Sequence, residues 1–280
     1  MAVFGKSINL FLVDGSPNGR WICELSNWTG KAYKIPRNKV KESDSRKELS
    51  NPGLYFLFGK DDENGRPLIY IGEAENIISR LKQHLDGKDY WNEAVIFISK
   101  DDHLNKAHVK YLENRFHSIA VETKRYKIMN SSTPTKSTIS EAEQAQLEEF
   151  IFNAKILVNT LGHKVFEPIT EAVAQEVKKE FNISVAGLNA RGVITSDGFV
   201  LLKGSQIHKN TTNNSITNGM RKIIDQYKSD GKVVDSILTE DILFSSSSAA
   251  AVFVLGYSVS GPKTWKDTAG KSLKEFEEGL

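Results

Sequence analysis

Two kinds of apolar spacing organise the first half of the chain. Short apolar runs bounded by turn residues predict strands at 8–13, 20–25, 31–36, 53–58, 68–72 and 94–99. Apolar residues three and four positions apart predict two helices instead, one after the N-cap candidate Asn76 and a longer one starting at Asp101 or Asp102. Strands and helices therefore alternate over 53–130, which indicates an α+β module.

The second half contains a linker, an amphipathic helix and a further mixed region. Residues 131–139 are rich in Ser, Thr and Pro and predict a linker. Ser140 and Glu143 then form a capping-box pattern before a helix with one apolar face. The predicted organisation is an N-terminal β extension over 1–50, a module over 51–131, a linker and connecting helix over 132–164, and a second α+β domain over 165–280.

Composition narrows the class of protein without naming a function. The 280 residues include 37 Lys and Arg against 35 Asp and Glu, so the net charge of +2 neither indicates nor excludes a nucleic-acid partner. Cys23 is the only cysteine, which excludes an internal disulfide and a cysteine-cluster zinc site. We expect no membrane association and a cytoplasmic location, because no long apolar stretch and no secretory signal pattern is present.

Two tyrosines mark the hairpin at the start of the module. If residue 55 lies opposite residue 70, the phenols of Tyr55 and Tyr70 share one face of the sheet, whereas a one-residue slip would separate them. Gly53 and Gly72 stand beside them and, lacking side chains, would let a substrate approach the backbone.

Charged side chains on the two following helices complete a candidate site. Arg80 and His84 are four residues apart and so share a helix face, and a guanidinium matches phosphate geometry with two parallel hydrogen bonds. Glu113, at the edge of the next apolar stripe, is a candidate to bind a divalent cation. Tyr55 and Tyr70 are expected on the sheet, with Arg80 and Glu113 pointing into the same cleft.

A basic stretch surrounds Glu113. Residues 105–130 carry six basic side chains against two acidic ones. Lys110 and Arg115 are therefore candidates to contact substrate phosphates, although an ordinary solvated helix face is the more common origin of such a run. His108 and His117 do not suggest a metal site, because nine helical residues place them on opposite faces.

The module resembles a known nuclease family. Gly53-Leu54-Tyr55 followed by Tyr70-Ile71-Gly72 resembles the paired motif of the GIY-YIG nucleases, with leucine in place of the usual isoleucine. The resemblance covers about 50–131. Four further positions agree with the family pattern: Arg80, His84, Glu113 and Asn130.

The resemblance implies a fold, a reaction and a set of roles. The implied fold is a three-stranded antiparallel sheet flanked by helices, and the implied reaction is hydrolysis of phosphodiester bonds in DNA with one Mg²⁺ or Mn²⁺ ion. The implied roles are general base or its activator for Tyr55, phosphate binding for Tyr70 and Arg80, proton movement or phosphate contact for His84, metal ligation for Glu113 and support of the site for Asn130.

The C-terminal region carries a second resemblance. The runs 245–256, 259–267 and 270–273 resemble a small domain of uncharacterised function that is often appended to GIY-YIG modules and occurs with restriction and methylation proteins. This resemblance implies DNA recognition, including of modified bases. Trp265 is interpreted as core of that domain, with base stacking as the minority interpretation.

Two rival functions fit the same pattern. The chain could be a non-catalytic nucleic-acid reader on a nuclease scaffold, or a nuclease that acts on RNA. The presence of every expected site residue favours the enzyme over the reader. The sequence indicates neither a cleavage preference nor an oligomeric state.

Overall fold

The computed structural model describes residues 5–63, 65–168, 179–185, 187–209 and 216–279. The chain divides into two compact units, 1–168 and 169–280, which we call the first unit and the C-terminal unit. Both combine helices with a β-sheet, so the predicted α+β class is confirmed.

The first unit is built on one seven-stranded sheet. Its elements are β1 (Ile8–Leu12), β2 (Trp21–Leu25), β3 (Gly30–Pro36), β4 (Gly53–Lys60), β5 (Pro67–Ala74), α1 (Ile77–Gly87), β6 (Trp91–Ser99), α2 (Lys106–Thr123), β7 (Lys127–Ile128) and α3 (Glu141–Thr160), with three short 3-10 turns over 37–50. The strand order is β1-β2-β3-β6-β4-β5-β7, antiparallel except for the parallel pair β5 and β7.

The N-terminal strands extend the sheet of the module. The three strands expected from the family resemblance are present as the neighbours β6, β4 and β5. However, β3 pairs with β6 over seven residues, from Gly30 opposite Ser99 to Pro36 opposite Glu93. The three-stranded sheet implied by the resemblance is therefore part of a larger sheet, which the strands of the N-terminal β extension continue.

Strand β4 lies inside the sheet, between β6 and β5, and contributes side chains to two cores. Leu54, Phe56 and Phe58 belong to the core that also contains the apolar side chains of α2 and α3. Tyr55 and Leu57 belong to the core under α1. A strand buried on both faces needs apolar residues at every position, which explains the unbroken apolar run in β4.

The start of α2 differs from the prediction. The helix begins at Lys106 because the side chain of Asn105 accepts a hydrogen bond from the His108 amide at 3.0 Å and so acts as the N-cap. Asp101 accepts a hydrogen bond from the His103 amide instead, and Asp102 has a φ of 54°. The two aspartates therefore form the turn that precedes the helix.

Helix α3 packs as part of the first unit. Its predicted capping box is confirmed, because the side chains and amides of Ser140 and Glu143 bond reciprocally. The same Glu143 carboxylate lies 3.1 Å from Nε2 of His108 and so ties α3 to α2. Leu147 and Phe150 are buried in the core shared with the sheet, so α3 contributes to the fold rather than only connecting two domains.

The C-terminal unit has a smaller antiparallel sheet. Its described elements are β8 (Glu180–Val185), β9 (Leu188–Thr195), β10 (Gly198–Leu201), α4 (Asn218–Ser229), β11 (Val233–Val234), β12 (Ile237–Leu238), β13 (Ile242–Phe244), α5 (Ser247–Leu255), α6 (Gly261–Thr264) and α7 (Leu273–Glu277). Strands β13, β10, β9 and β8 form the sheet in that order, and β11 and β12 form a hairpin.

Trp265 anchors the core of the C-terminal unit. Its side chain is fully buried 4.6 Å from the ring of Phe199, and its Nε1 donates to the Ser247 carbonyl at 2.9 Å. A Cβ on Gly261 would lie 2.3 Å from the backbone of Ser247 and Ser248, so only glycine fits there. The interpretation of Trp265 as a core residue is confirmed.

Within the described ranges, no helix combines the length and the apolar character needed to cross a membrane.

Candidate active site

The two tyrosines share one face of the sheet, as predicted, but in a shifted register. Tyr55 lies opposite Gly72, and Leu57 lies opposite Tyr70. The shift is two residues, and an even shift keeps side chains on the same face. The phenol rings of Tyr55 and Tyr70 consequently stack with their centroids 6.2 Å apart.

Tyr55 is hydrogen-bonded to His84 in the interior of the module. The Tyr55 hydroxyl lies 2.7 Å from Nε2 of His84, and both side chains are buried. Burial, together with the positive charges of Arg80 and Lys88, lowers the pKa of His84 to about 4. The imidazole is therefore neutral near pH 7, and in the tautomer that carries its proton on Nδ1 its Nε2 accepts a hydrogen bond from the phenol.

The Tyr55 phenol is protonated in its resting state. Burial, and secondarily the neighbouring Tyr70, raises the pKa of Tyr55 well above its usual range. Arg80 acts in the opposite direction by favouring the phenolate. The hydroxyl can thus release its proton only in concert with a group that accepts it, and His84 is the group in contact.

Gly72 makes room for the Tyr55 phenol. A Cβ at residue 72 would lie 2.3 Å from the Tyr55 hydroxyl oxygen. A Cβ on Gly53 would similarly lie 2.5 Å from the Phe97 carbonyl. The space that the sequence suggested for substrate is filled by the protein itself, so both glycines permit close packing.

Polar side chains hydrogen-bond to the outer edge of β5 beyond the point where β7 ends. Strand β7 pairs with β5 only as far as Ile69. The side chain of Asn130 then replaces a strand: its Oδ1 accepts from the Ile71 amide at 3.0 Å and its Nδ2 donates to the Ile71 carbonyl at 2.7 Å. Two residues further on, the Glu73 amide hydrogen-bonds to the Glu113 carboxylate. This edge of the sheet therefore fixes Asn130 and Glu113 beside Tyr70 and Gly72.

The Glu113 carboxylate lies in an acidic environment. Burial, and then the charge of Glu73, raises the pKa of Glu113 to about 7, although Lys106 and Arg80 act in the opposite direction. Lys106 is itself paired with Glu73, with Nζ 2.9 Å from the carboxylate. Two carboxylates, those of Glu113 and Glu73, therefore lie near one paired lysine.

Arg80 lies at the mouth of the site. The side chain is exposed, and its Nη1 donates to Gln83 at 2.8 Å. Interaction with the Tyr55 hydroxyl raises the pKa of Arg80, so the guanidinium lies near the phenol. It borders an open cavity of about 330 Å³, a size at the lower end for ligand pockets. The other lining residues are Glu73, Ala74, Glu75, Asn76, Ser79, Gln83 and Lys106.

Neither of the two basic candidates on α2 lines the cavity. Lys110 is exposed on the helix surface. Arg115 is committed to α3, because its Nε and Nη2 donate to the two carboxylate oxygens of Glu148 at 2.6 and 3.0 Å. The Tyr111 hydroxyl donates to the same carboxylate at 2.9 Å. Arg115 therefore joins two helices instead of facing the cavity.

Sequence reasoning overlooked Glu73 and Lys106. Their positions in the sequence could have indicated both residues. Glu73 directly follows the Tyr70-Ile71-Gly72 motif, and Lys106 precedes Glu113 by seven residues, or two helical turns. In the described part of the chain, no three or more His, Cys, Asp and Glu side chains cluster as a metal site. Mg²⁺ nevertheless needs few protein ligands, because it retains waters and binds substrate phosphate.

The comparisons with known proteins concern mainly the C-terminal unit. Residues 181–277 match a family described as a domain of unknown function, DUF4357. This agrees with the small appended domain expected from the sequence, whereas residues 50–131 give no match to the GIY-YIG family. No curated protein and no solved structure matches the chain. The chain is thus similar to known proteins through a C-terminal domain of unknown function.

Proposed function

We propose that the first unit is a metal-dependent endonuclease of the GIY-YIG type, which hydrolyses phosphodiester bonds in DNA. The observation that carries the proposal is the buried hydrogen bond between Tyr55 and neutral His84, with Arg80 and Glu113 acting on the same phenol. A tyrosine whose proton has an acceptor, next to a cation and a carboxylate, suits attack of water on a phosphate.

The Tyr55–His84 pair provides a route for the proton. Water that attacks phosphorus must lose a proton as the new P–O bond forms, while the P–O bond to the leaving sugar oxygen breaks and that oxygen takes a proton from solvent. The Tyr55 oxygen takes that proton while its own proton passes to Nε2 of His84, so the phenol is protonated again at the end of the step. The charge that develops on His84 lies near the anionic substrate, which offsets the cost of burying an imidazolium.

Arg80 and Tyr70 bind the substrate phosphate in this proposal. Arg80 is exposed next to the cavity, and its planar guanidinium can give two parallel hydrogen bonds to phosphate oxygens. Tyr70 is half-buried beside Tyr55, and the ammonium of Lys88 lies 3.8 Å from its ring centroid. Cations therefore lie beside both phenols, with Arg80 near the Tyr55 hydroxyl and Lys88 over the Tyr70 ring.

Glu113 would hold the divalent cation, with Glu73 as its neighbour. The environment fits, because burial and the Glu73 charge already disfavour an uncompensated Glu113 carboxylate. Bound Mg²⁺ or Mn²⁺ would polarise the phosphate and neutralise charge that develops on it. The C-terminal unit would select or position the DNA.

Nicking of supercoiled plasmid by the full-length protein tests the proposal. We expect cleavage with Mg²⁺, none with EDTA, and loss of cleavage in Glu113→Gln, which keeps the size of the side chain. Absence of cleavage with DNA binding retained, on both unmodified DNA and phage DNA carrying modified bases, would instead support a non-catalytic reader. A parallel assay on single-stranded RNA distinguishes an RNA-directed nuclease.

A further inference from the structure

We infer that β1 is the interface of a symmetric dimer, in which the β1 strands of two copies of this chain pair antiparallel. The inference concerns the sheet edge opposite the candidate active site. It does not depend on the proposed nuclease activity.

The hydrogen-bond pattern shows which backbone groups of β1 face outward. The Val13 amide donates to the Arg20 carbonyl at 2.9 Å, and the Ser26 amide donates to the Ser7 carbonyl at 3.0 Å. In an antiparallel pair the residues that bond across the ladder alternate, so residues 7, 9, 11 and 13 bond toward β2. The amides and carbonyls of Ile8, Leu10 and Leu12 therefore point away from it, where the described sheet has no further strand.

This edge lacks the features that usually prevent strands from associating. Strand β1 contains no charged residue, no proline and no bulge, and it pairs with β2 without a register shift. Leu10 is 39% exposed and Phe11 is 58% exposed. The exposed ring of Phe152 on α3 adds to the apolar surface, since Lys6, just before β1, lies 5.5 Å from that ring.

A second copy of β1 fits the edge better than an unrelated strand. With a two-fold axis at Leu10, each Ile8 lies opposite a Leu12 and the two Leu10 residues lie opposite each other, so every outward amide and carbonyl finds a partner. Asn9 then lies opposite Phe11.

The flanking charges also favour the antiparallel arrangement. Lys6 precedes β1, and its ammonium bonds to the neutral amide oxygen of Asn153 at 3.0 Å. Asp14 follows β1 and pairs with Arg20. Antiparallel pairing brings each Lys6 to the end of the strand where Asp14 of the second copy lies, whereas parallel pairing would bring like charges together.

Solution mass tests the interface. We expect light scattering on the full-length protein to give twice the 31.3 kDa of the chain. Leu10→Lys places two ammonium groups across the axis and should halve the mass. Val121→Lys also introduces a lysine at an exposed apolar position, but on α2 and away from β1, so it should leave the dimer intact. A monomeric wild type, or a dimer that survives Leu10→Lys, would overturn the inference.

Cysteine cross-linking tests the register. Two Leu10→Cys residues would face each other with Cα atoms about 5.5 Å apart, which is within disulfide range. Two Ile8→Cys residues would lie four positions apart, or about 13 Å, and should not cross-link. Both variants carry Cys23→Ser, because Cys23 of β2 lies directly opposite residue 10 and would otherwise compete for a cysteine placed there. Equal cross-linking of both variants would rule out this register, and with it the proposed two-fold axis at Leu10.

Discussion

The two edges of the seven-stranded sheet are completed in opposite ways. On the β5 edge, strand β7, the Asn130 side chain and the Glu113 carboxylate satisfy successive outward groups of the backbone. On the β1 edge, the outward groups carry only apolar side chains. Polar side chains that complete a strand become fixed in position, which is what a catalytic site needs. A bare apolar edge remains available to a partner strand instead.

The largest expected effect is at Arg80 of α1, which lines the same cavity as Glu73 of β5. Arg80→Ala should lower the rate of plasmid nicking on the order of 10²–10³-fold, because it removes a cation from the phosphate as charge develops. The melting temperature should stay nearly unchanged, since the side chain is exposed. The matched control is Lys82→Ala on the same helix, whose ammonium pairs with Asp44. Equal rates for the two variants would remove Arg80 from the mechanism.

The buried histidine should make stability depend on pH. The pKa of His84 is about 4 in the folded chain and lies near 6.5 when the chain is unfolded. The unfolded chain therefore takes up a proton first as the pH falls, and the free energy of unfolding should drop by about 3 kcal/mol between pH 6.5 and pH 4.

Urea unfolding of wild type and His84→Gln across that window measures this contribution. The difference between the two pH slopes isolates His84, because the raised pKa of Glu113 acts with the opposite sign in both proteins. Parallel slopes would show that His84 is not held neutral. That result would also remove the acceptor for the Tyr55 proton.

Asn130→Ala should destabilise the protein by about 2 kcal/mol, because the amide and the carbonyl of Ile71 both lose a partner. We also expect a lower nicking rate, since the strand that carries Tyr70 loses its support. Asn51→Ala removes an exposed hydrogen bond to Asp102 and should cost much less. Chemical denaturation of both variants checks the difference. Similar losses of stability in the two variants would mean that the Asn130 side chain does not replace strand hydrogen bonds at Ile71.

The smallest effect is expected at Arg115, away from both edges. Arg115→Met should leave nicking unchanged and lower stability by less than about 1 kcal/mol, as for other half-exposed ion pairs. A double-mutant cycle with Glu148→Gln measures the pair. A large loss of DNA binding in Arg115→Met would instead indicate that Arg115 contacts substrate phosphates.

Local features were predictable where neighbouring residues decide them. The N-cap at Asn76, the capping box at Ser140 and the same-face placement of Tyr55 and Tyr70 all follow from spacing along the chain. The exact pairing of the hairpin could not be predicted in this way. Pairing Tyr55 with residue 70 or with residue 72 keeps both tyrosines on the face of α1, so the pattern does not distinguish the two registers. The start of α2 was also missed, since Asp101, Asp102 and Asn105 are all capable N-caps and only tertiary contacts select one.

The sequence by itself determined the α+β class and the order of most elements, because periodicity and turn residues act over a few neighbouring positions. It also supplied the candidate chemistry at Tyr55, Arg80 and Glu113. Only the tertiary structure decided that the N-terminal strands join the central sheet, that Gly72 makes room for a phenol, and that Arg115 binds Glu148. These are contacts between residues far apart in the chain, and their geometry depends on packing that no local pattern records.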